Sequence, residues 1–336
     1  MELAPNPVAQ KTSRVEWIDF AKAVSISLVT IIHFTPFWAP KYWLFLRDVI
    51  HDFRVPSLIV ISGMFFRDIA LSSYLRKRLS RLLVPFFVVG TVLFLLKFLS
   101  QQFVPVDKPV TLENLCLLFV NPINSYAPIL WFLPALYVLG LVVVVMRKIM
   151  DYRLAFLVLF VCVVYVPWTG TLFDQIRMYA PYFAAGPIVL SIMSRPVRIT
   201  VAVVGLVSCA VVYLGLQYIN GPLKWGGLTY LGMVQSLAGV VAVLLVGRIL
   251  EYFVQSAWLR KTFILISSSS MAIYLFHTVF ESSARIVATI TGVYKIVPFP
   301  VIAAIVCGLG VLGPVFLDRM VIQRNYWARR AILGEH

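Results

Sequence analysis

The 336-residue chain is 61% hydrophobic and only 13% charged, about half the charge of a soluble protein of this length, and its mean hydropathy is +0.91. These values exclude a sizeable soluble domain and make the chain an all-α protein, a polytopic membrane helix bundle formed by one domain over residues 1–336. The net charge of +15 does not mark a nucleic-acid partner, because the basic residues are spread over many loops instead of gathering in one region.

Residues 1–14 (MELAPNPVAQKTSR) are a polar tail with no small-residue cleavage site after the first apolar run, which is therefore expected to stay as an uncleaved anchor. Window hydrophobicity, bounded by Pro, Gly and charge clusters, predicts about ten transmembrane helices. They fall at residues 15–35, 44–66, 82–100, 126–146, 153–169, 179–194, 197–217, 228–247, 263–284 and 297–317. Pro167, Pro181 and Pro187 interrupt the fifth and sixth. Residues 101–125 are too polar and Pro-broken to span and are expected to be a partly ordered external loop, and residues 318–336 a basic tail. There is no internal repeat and no low-complexity tract beyond Ser267 to Ser270. Cys116, Cys162, Cys209 and Cys307 are widely spaced, without CxxC or Cys/His pairing, and read as small core residues with no metal site or disulfide framework.

Alternating loops carry Lys and Arg unequally: one side takes 20 of the 29. The positive-inside rule makes that side cytoplasmic, places both termini there, and requires an even number of spans.

Within this apolar frame a few segments hold residues that lipid disfavours. The first helix, WIDFAKAVSISLVTIIHF, carries Asp19, Lys22 and His33. Lys22 and His33 are eleven residues apart, about three turns, and fall within roughly 20° of each other, with Asp19 one turn before Lys22 on the same side. Asp19 and Lys22 can neutralise each other near the cytoplasmic face, whereas His33 lies about 16 Å further along. A lone helix histidine is more often a packing residue, but the shared stripe equally fits a polar pathway. In the second span, HDFRVPSLIVISGMFF, the residues His51, Asp52 and Arg54 fit an external ion-pair cluster, while Ser62 and Gly63 let another helix or a ligand approach the backbone.

The next loop, YLRKRLSRLLVPFF, holds Arg76, Lys77, Arg78 and Arg81. Orientation alone explains basic residues here. Arg78 and Arg81 are also one helical turn apart, presenting two guanidinium forks on one face as a phosphate-bearing ligand requires. In ILWFLPALYVLG, Trp131 fits an interfacial belt and Pro134 a helix kink. In SSSSMAIYLFHTVFESS, His277 and Glu281 stand at i, i+4, where the carboxylate can orient the imidazole or form a buried structural pair with it.

In this order the segments resemble the acyltransferase 3 family of bacterial membrane O-acyltransferases. That family has an opening helix of the form D-x-x-R-x10-H, a Phe-x-x-Pro helix ending in Ser-Gly, a basic R-x-x-R loop, a Trp-Phe-Leu-Pro-Ala-Leu helix and a late Tyr-Leu-x-His helix. Here these are Asp19 to His33, Phe53 to Gly63, Arg78 to Arg81, Trp131 to Leu136 and Tyr274 to His277. Two positions depart from the pattern. Lys22 replaces the Arg of the first motif, keeping charge but losing the bidentate fork, and Arg54 stands where sugar-acting relatives often have His.

The resemblance implies transfer of an acyl group, usually acetyl from acetyl-CoA, to a hydroxyl of an envelope sugar in the bacterial cytoplasmic (inner) membrane. The acceptor would be an exported or surface polysaccharide or its lipid-linked precursor. Acetyl-CoA would be a co-substrate with no bound cofactor. Membrane lipid, a second copy of the chain or polysaccharide-synthesis machinery would be partners. On this basis His33, with Asp19 and Lys22, is the expected catalytic set, His33 acting as general base or transient acyl carrier. Arg78, Arg81 and Arg76 are expected to hold the donor's phosphates, and Arg54, Ser62, Trp131, His277 and Glu281 to form the acceptor or transition-state region. A transporter or flippase of a glycan or small metabolite also suits an intramembrane histidine and Pro-broken helices, though the missing inverted repeat speaks against it. A non-catalytic assembly factor would use the polar stripe for packing alone.

Overall fold

A computed structural model of the chain describes residues 15–66, 70–102, 110–165, 169, 171–221 and 230–334. The N-terminal tail, most of the polar start of the 101–125 segment, and Pro167 lie outside the described residues. Among those described there is no strand, as expected where only helices or closed barrels satisfy the backbone in lipid.

The bundle is built around α1 (Glu16–His33), which touches α2 (Lys41–Met64), α10 (Tyr230–Phe253), α11 (Ala257–Ser268), α12 (Ser270–Ile290) and α13 (Phe299–Leu317). Its apolar face is buried almost completely, with Trp17, Phe20, Ala21 and Ile26 at 1% exposure or less. A second group of helices encloses this centre. It comprises α3 (Leu71–Arg78), α4 (Val84–Ser100), α6 (Phe132–Met146), α7 (Tyr152–Tyr165) and α8 (Leu172–Met193). The helix α9 (Ile199–Asn220) packs on α10 and is otherwise peripheral; its apolar stretch is 11% buried, so most of its side chains face outward, as lipid contact allows.

Each predicted span has a helical counterpart, but the helices differ from the expected segments in ways with local physical causes. Six are long and apolar enough to cross a membrane, or seven if one bent pair counts as a single span, among the described residues. The predicted third span is the end of a longer helix, Leu71–Ser100, in which a π turn at Leu79–Leu83 joins α3 to α4. The predicted 101–125 loop contains a further helix, α5 (Leu112–Val120), started by Thr111, whose hydroxyl accepts from the Asn114 amide.

Pro181 and Pro187 do not interrupt α8, which runs through both. Pro187 cannot donate to the Phe183 carbonyl one turn earlier; that carbonyl instead lies against Gly63 of α2. Pro56 in α2 likewise frees the Asp52 carbonyl, which accepts from the Ser236 hydroxyl of α10 at 2.6 Å. At Pro56 a neighbouring helix thus supplies the hydrogen bond that the proline removes. Pro134 falls in the first turn of α6, where the missing amide costs no helical bond.

The predicted span at 263–284 is two helices, α11 and α12, meeting at 83° around Ser269. The serine run fastens this corner. Ser267 donates to Asp19 Oδ1 of α1 (2.5 Å), Ser268 accepts from Arg319 (2.6 Å), and Ser269 donates to buried Asp318 (2.6 Å). The predicted C-terminal tail is folded through residue 334. It forms a π turn at Asp318–Ile322, the short α14 (Tyr326–Ala328) and another π turn at Arg329–Leu333, which packs on α4. All three π turns therefore surround the same end of the bundle.

Candidate active site

At that end lies a cavity of about 400 Å³. Its charged lining is Lys22 from α1, Arg78 from the end of α3 and Arg81 from the π turn, facing Ser62 of α2 and Ser268 and Ser270 at the α11–α12 corner. The π turn widens the local helical period, and both guanidinium groups still reach one space. Tyr74, buried to 1%, is wedged beside Gly140 and donates to the Tyr137 carbonyl at 2.8 Å, setting one wall. Leu333 of the folded C-terminal segment closes another.

Three helices lead from this cavity into the bundle. On α1 the row Lys22, Ile26, Val29, His33 holds one face; on α2 the row is Ser62, Leu58, Arg54; on α12 it is Ser270, Tyr274, His277. The rows converge at their far ends, where the His33 and His277 rings stand 5.1 Å apart between centroids, inclined at 54°. His33, the last residue of α1, has an exposed side chain. His277 is fully buried. Its Nδ1–H donates to the carbonyls of Ile273 (2.8 Å) and Tyr274 (3.0 Å). That leaves Nε2 as the lone-pair nitrogen of the neutral ring, and it has no hydrogen-bond partner among the described residues.

The charge of Arg54 is felt at both rings. Arg54 Nη1 donates to the His51 carbonyl at 2.6 Å, and its Nε is buried without a hydrogen-bond partner among the described residues. Trp131 lies across Tyr179 of α8 in a stack (5.4 Å, 15°), and Tyr179 in turn lies within electrostatic reach of Arg54.

A family model described as an acyltransferase domain, that of the acyltransferase 3 family, matches residues 15–319. The chain belongs to the acyltransferase 3 family. It is a multi-pass membrane acyltransferase. No curated protein and no solved structure matches it.

In this acyltransferase the structure brings several predicted residues together and separates others. Lys22, Ser62, Arg78 and Arg81 share the cavity, and His33 meets His277 beyond it. Arg76 is exposed and does not line the cavity. Asp19 stands behind Lys22 at the serine corner. The expected His277–Glu281 pair is absent: a helical side chain leans toward the N-terminus, so the imidazole turns back onto its own preceding turn. Both Glu281 oxygens are buried without a hydrogen-bond partner among the described residues, and the carboxylate lies against Gly310 of α13.

The His51, Asp52 and Arg54 cluster is not an external ion-pair patch. Asp52 is 4% exposed and accepts from Gln235 (2.9 Å) and His51 (3.2 Å), with the Tyr213 hydroxyl at 3.4 Å. It ties α2 to α9 and α10. Sequence reasoning gave no role to Tyr74, Phe132, Ser268 or Leu333. The serine run was visible but its corner was not, and Leu333 carried no signal because only the fold returns the C-terminal segment to the cavity.

Proposed function

We propose that this acyltransferase moves an acetyl group from cytoplasmic acetyl-CoA to a hydroxyl of an envelope sugar, and that the chain crosses the inner membrane ten times with both termini in the cytoplasm. The ten spans include α1 and α2, whose charges serve the site, and the short α7. The observation that carries the reading is one continuous geometry: a cavity holding Lys22, Arg78 and Arg81, aligned along three helices with a histidine pair beyond it.

The donor's phosphates would bind Arg78 and Arg81 by charge-assisted hydrogen bonds, beside Lys22, leaving the thioester arm pointed along the three rows. The acceptor hydroxyl enters from the outer side, where the His33 side chain is exposed. Its oxygen attacks the thioester carbon while its proton passes to His33. The tetrahedral intermediate then breaks its C–S bond, and the departing sulfur takes that proton to leave as CoA–SH. Arg54, close enough to act on both rings, supplies positive charge where the oxyanion forms. Trp131 on Tyr179 offers an aromatic face of the kind sugars stack upon.

Membranes holding the protein, given acetyl-labelled CoA and envelope glycan from the host, test this reading. Label should reach the glycan with wild type and fall by a factor of about 10²–10⁴ with His33→Ala. Equal transfer by a folded His33→Ala protein would remove His33 from the chemistry, and glycan movement without acyl donor would favour a flippase.

A further inference from the structure

The cavity ends about one helical turn short of Arg54 and His277 and about two turns short of His33. Its innermost residues are Ile26 on α1, Leu58 on α2, Tyr274 on α12 and Phe132 on α6, whereas Arg54 and His277, the next members of their rows, and Val29 and His33, the next two on α1, are outside its lining. Ile26, Val29, Leu58 and Tyr274 are between 1% and 8% exposed and belong to one packed cluster, with Phe132 against it. The Phe132 and Tyr274 rings are 5.1 Å apart. The Tyr274 hydroxyl donates to the Ile129 carbonyl in the turn that precedes Phe132, which ties the α12 side of this cluster to the α6 side.

We propose that these five side chains form an apolar septum, about one turn thick on α2 and α12 and about two turns on α1, which the acyl-bearing arm must part and which sets the length of acyl group admitted. Tyr274 and Phe132 are its movable leaves. On one side of it lies the cationic cavity; on the other stand His33, whose side chain is exposed, and His277 beside it. Without a septum, water from the cavity would reach the histidines together with the thioester. Its oxygen would then attack the carbonyl carbon in place of the sugar, the C–S bond would break, and a carboxylic acid and CoA–SH would form. Excluding that water is how enclosed sites suppress hydrolysis. A passage made by displacing two rings admits a two-carbon group more readily than a longer one.

This inference rests on the acyltransfer reading, so its test includes a readout independent of acyl chemistry. Protein would be reconstituted in vesicles containing a pH-sensitive dye, with water as the acyl acceptor and acetyl-CoA or hexanoyl-CoA as donor. Wild type should hold an imposed pH gradient and release CoA slowly from both donors. Phe132→Ala should dissipate the gradient and raise CoA release about tenfold, more for hexanoyl-CoA than for acetyl-CoA, and adding His33→Ala should abolish that release but not the leak. Tyr274→Phe, which keeps the ring and removes only the tether, should move both readouts in the same direction by a smaller factor, and serves if Phe132→Ala does not fold. A gradient held as well by the variants as by wild type, with unchanged chain-length preference, overturns the septum. A leak without CoA release from any variant would uphold the septum and instead count against the acyltransfer reading.

Discussion

Arg78 and Arg81 illustrate how much turns on the direction of a side chain. Four basic residues, Arg76, Lys77, Arg78 and Arg81, lie within six positions, and orientation in the membrane would accept any of them. Only Arg78 and Arg81 reach the cavity. A guanidinium fork matches a phosphate in two hydrogen bonds, which an ammonium cannot. Arg78→Ala and Arg81→Ala should therefore each raise the KM for acetyl-CoA about tenfold, the loss of a charge-assisted bond of about 1.5–3 kcal/mol moderated by the neighbouring charge. Arg76→Ala should leave it within a factor of about two, as expected for an exposed charge. Steady-state kinetics with varied donor distinguishes them, and equal effects at all three positions would show a diffuse surface attraction in place of a site. At Lys22 the fork is missing, and the lysine contributes a point charge to the same cavity.

At the scale of elements, the α2–α8 contact positions Ser62 and the row that leads to Arg54. Gly63 and Gly186 meet back to back. A Cβ on Gly186 would stand 2.6 Å from the Gly63 Cα, and one on Gly63 would meet the Phe183 carbonyl freed by Pro187. Backbone cannot yield as a flexible side chain can, so Gly186→Ala should cost about 1–3 kcal/mol, read as a lowered Tm in detergent. Gly308→Ala, with nothing within 4 Å of the added carbon, should change Tm little. Similar melting of the two variants would refute the close approach.

The helices themselves were legible because each apolar run is long enough to announce itself. What hydropathy cannot register is a change of direction inside such a run. The 83° corner at Ser269 lies within a segment that stays apolar on both sides, so one predicted span became two helices. Pro181 and Pro187 misled in the opposite sense, because α8 runs through both, and the packing of Gly63 on the carbonyl that Pro187 frees comes from another helix. The histidine pair was out of reach for the same reason: His33 and His277 are 244 positions apart in the chain, and no periodicity links residues on different helices. The burial of Asp52 was likewise invisible, since its partners Gln235 and Tyr213 are distant in sequence.

For the whole molecule, the three rows give the bundle a direction. Cationic groups and the three π turns gather at one end, the histidine pair stands further in, and a packed apolar layer lies between them. The bland alternative, a set of polar residues placed only for helix packing, gives no reason for cationic groups on two separate helices, α1 and Leu71–Ser100, to share one cavity in line with that pair. The folded C-terminal segment has a place in the same scheme, since Leu333 completes a wall that α1, α2, α3 and α12 leave open.

The most direct test is the position of the donor itself. A cryo-electron microscopy map of the protein in lipid nanodiscs with a non-cleavable thioether analogue of acetyl-CoA would show it. The account predicts the diphosphate about 2.7–2.9 Å from Arg78 and Arg81. It places the arm between displaced Tyr274 and Phe132 rings, with the acyl carbon within about 3–3.5 Å of the position an acceptor hydroxyl takes beside His33. Analogue bound outside the cavity, or bound there with its acyl end directed away from the histidine pair, would contradict it.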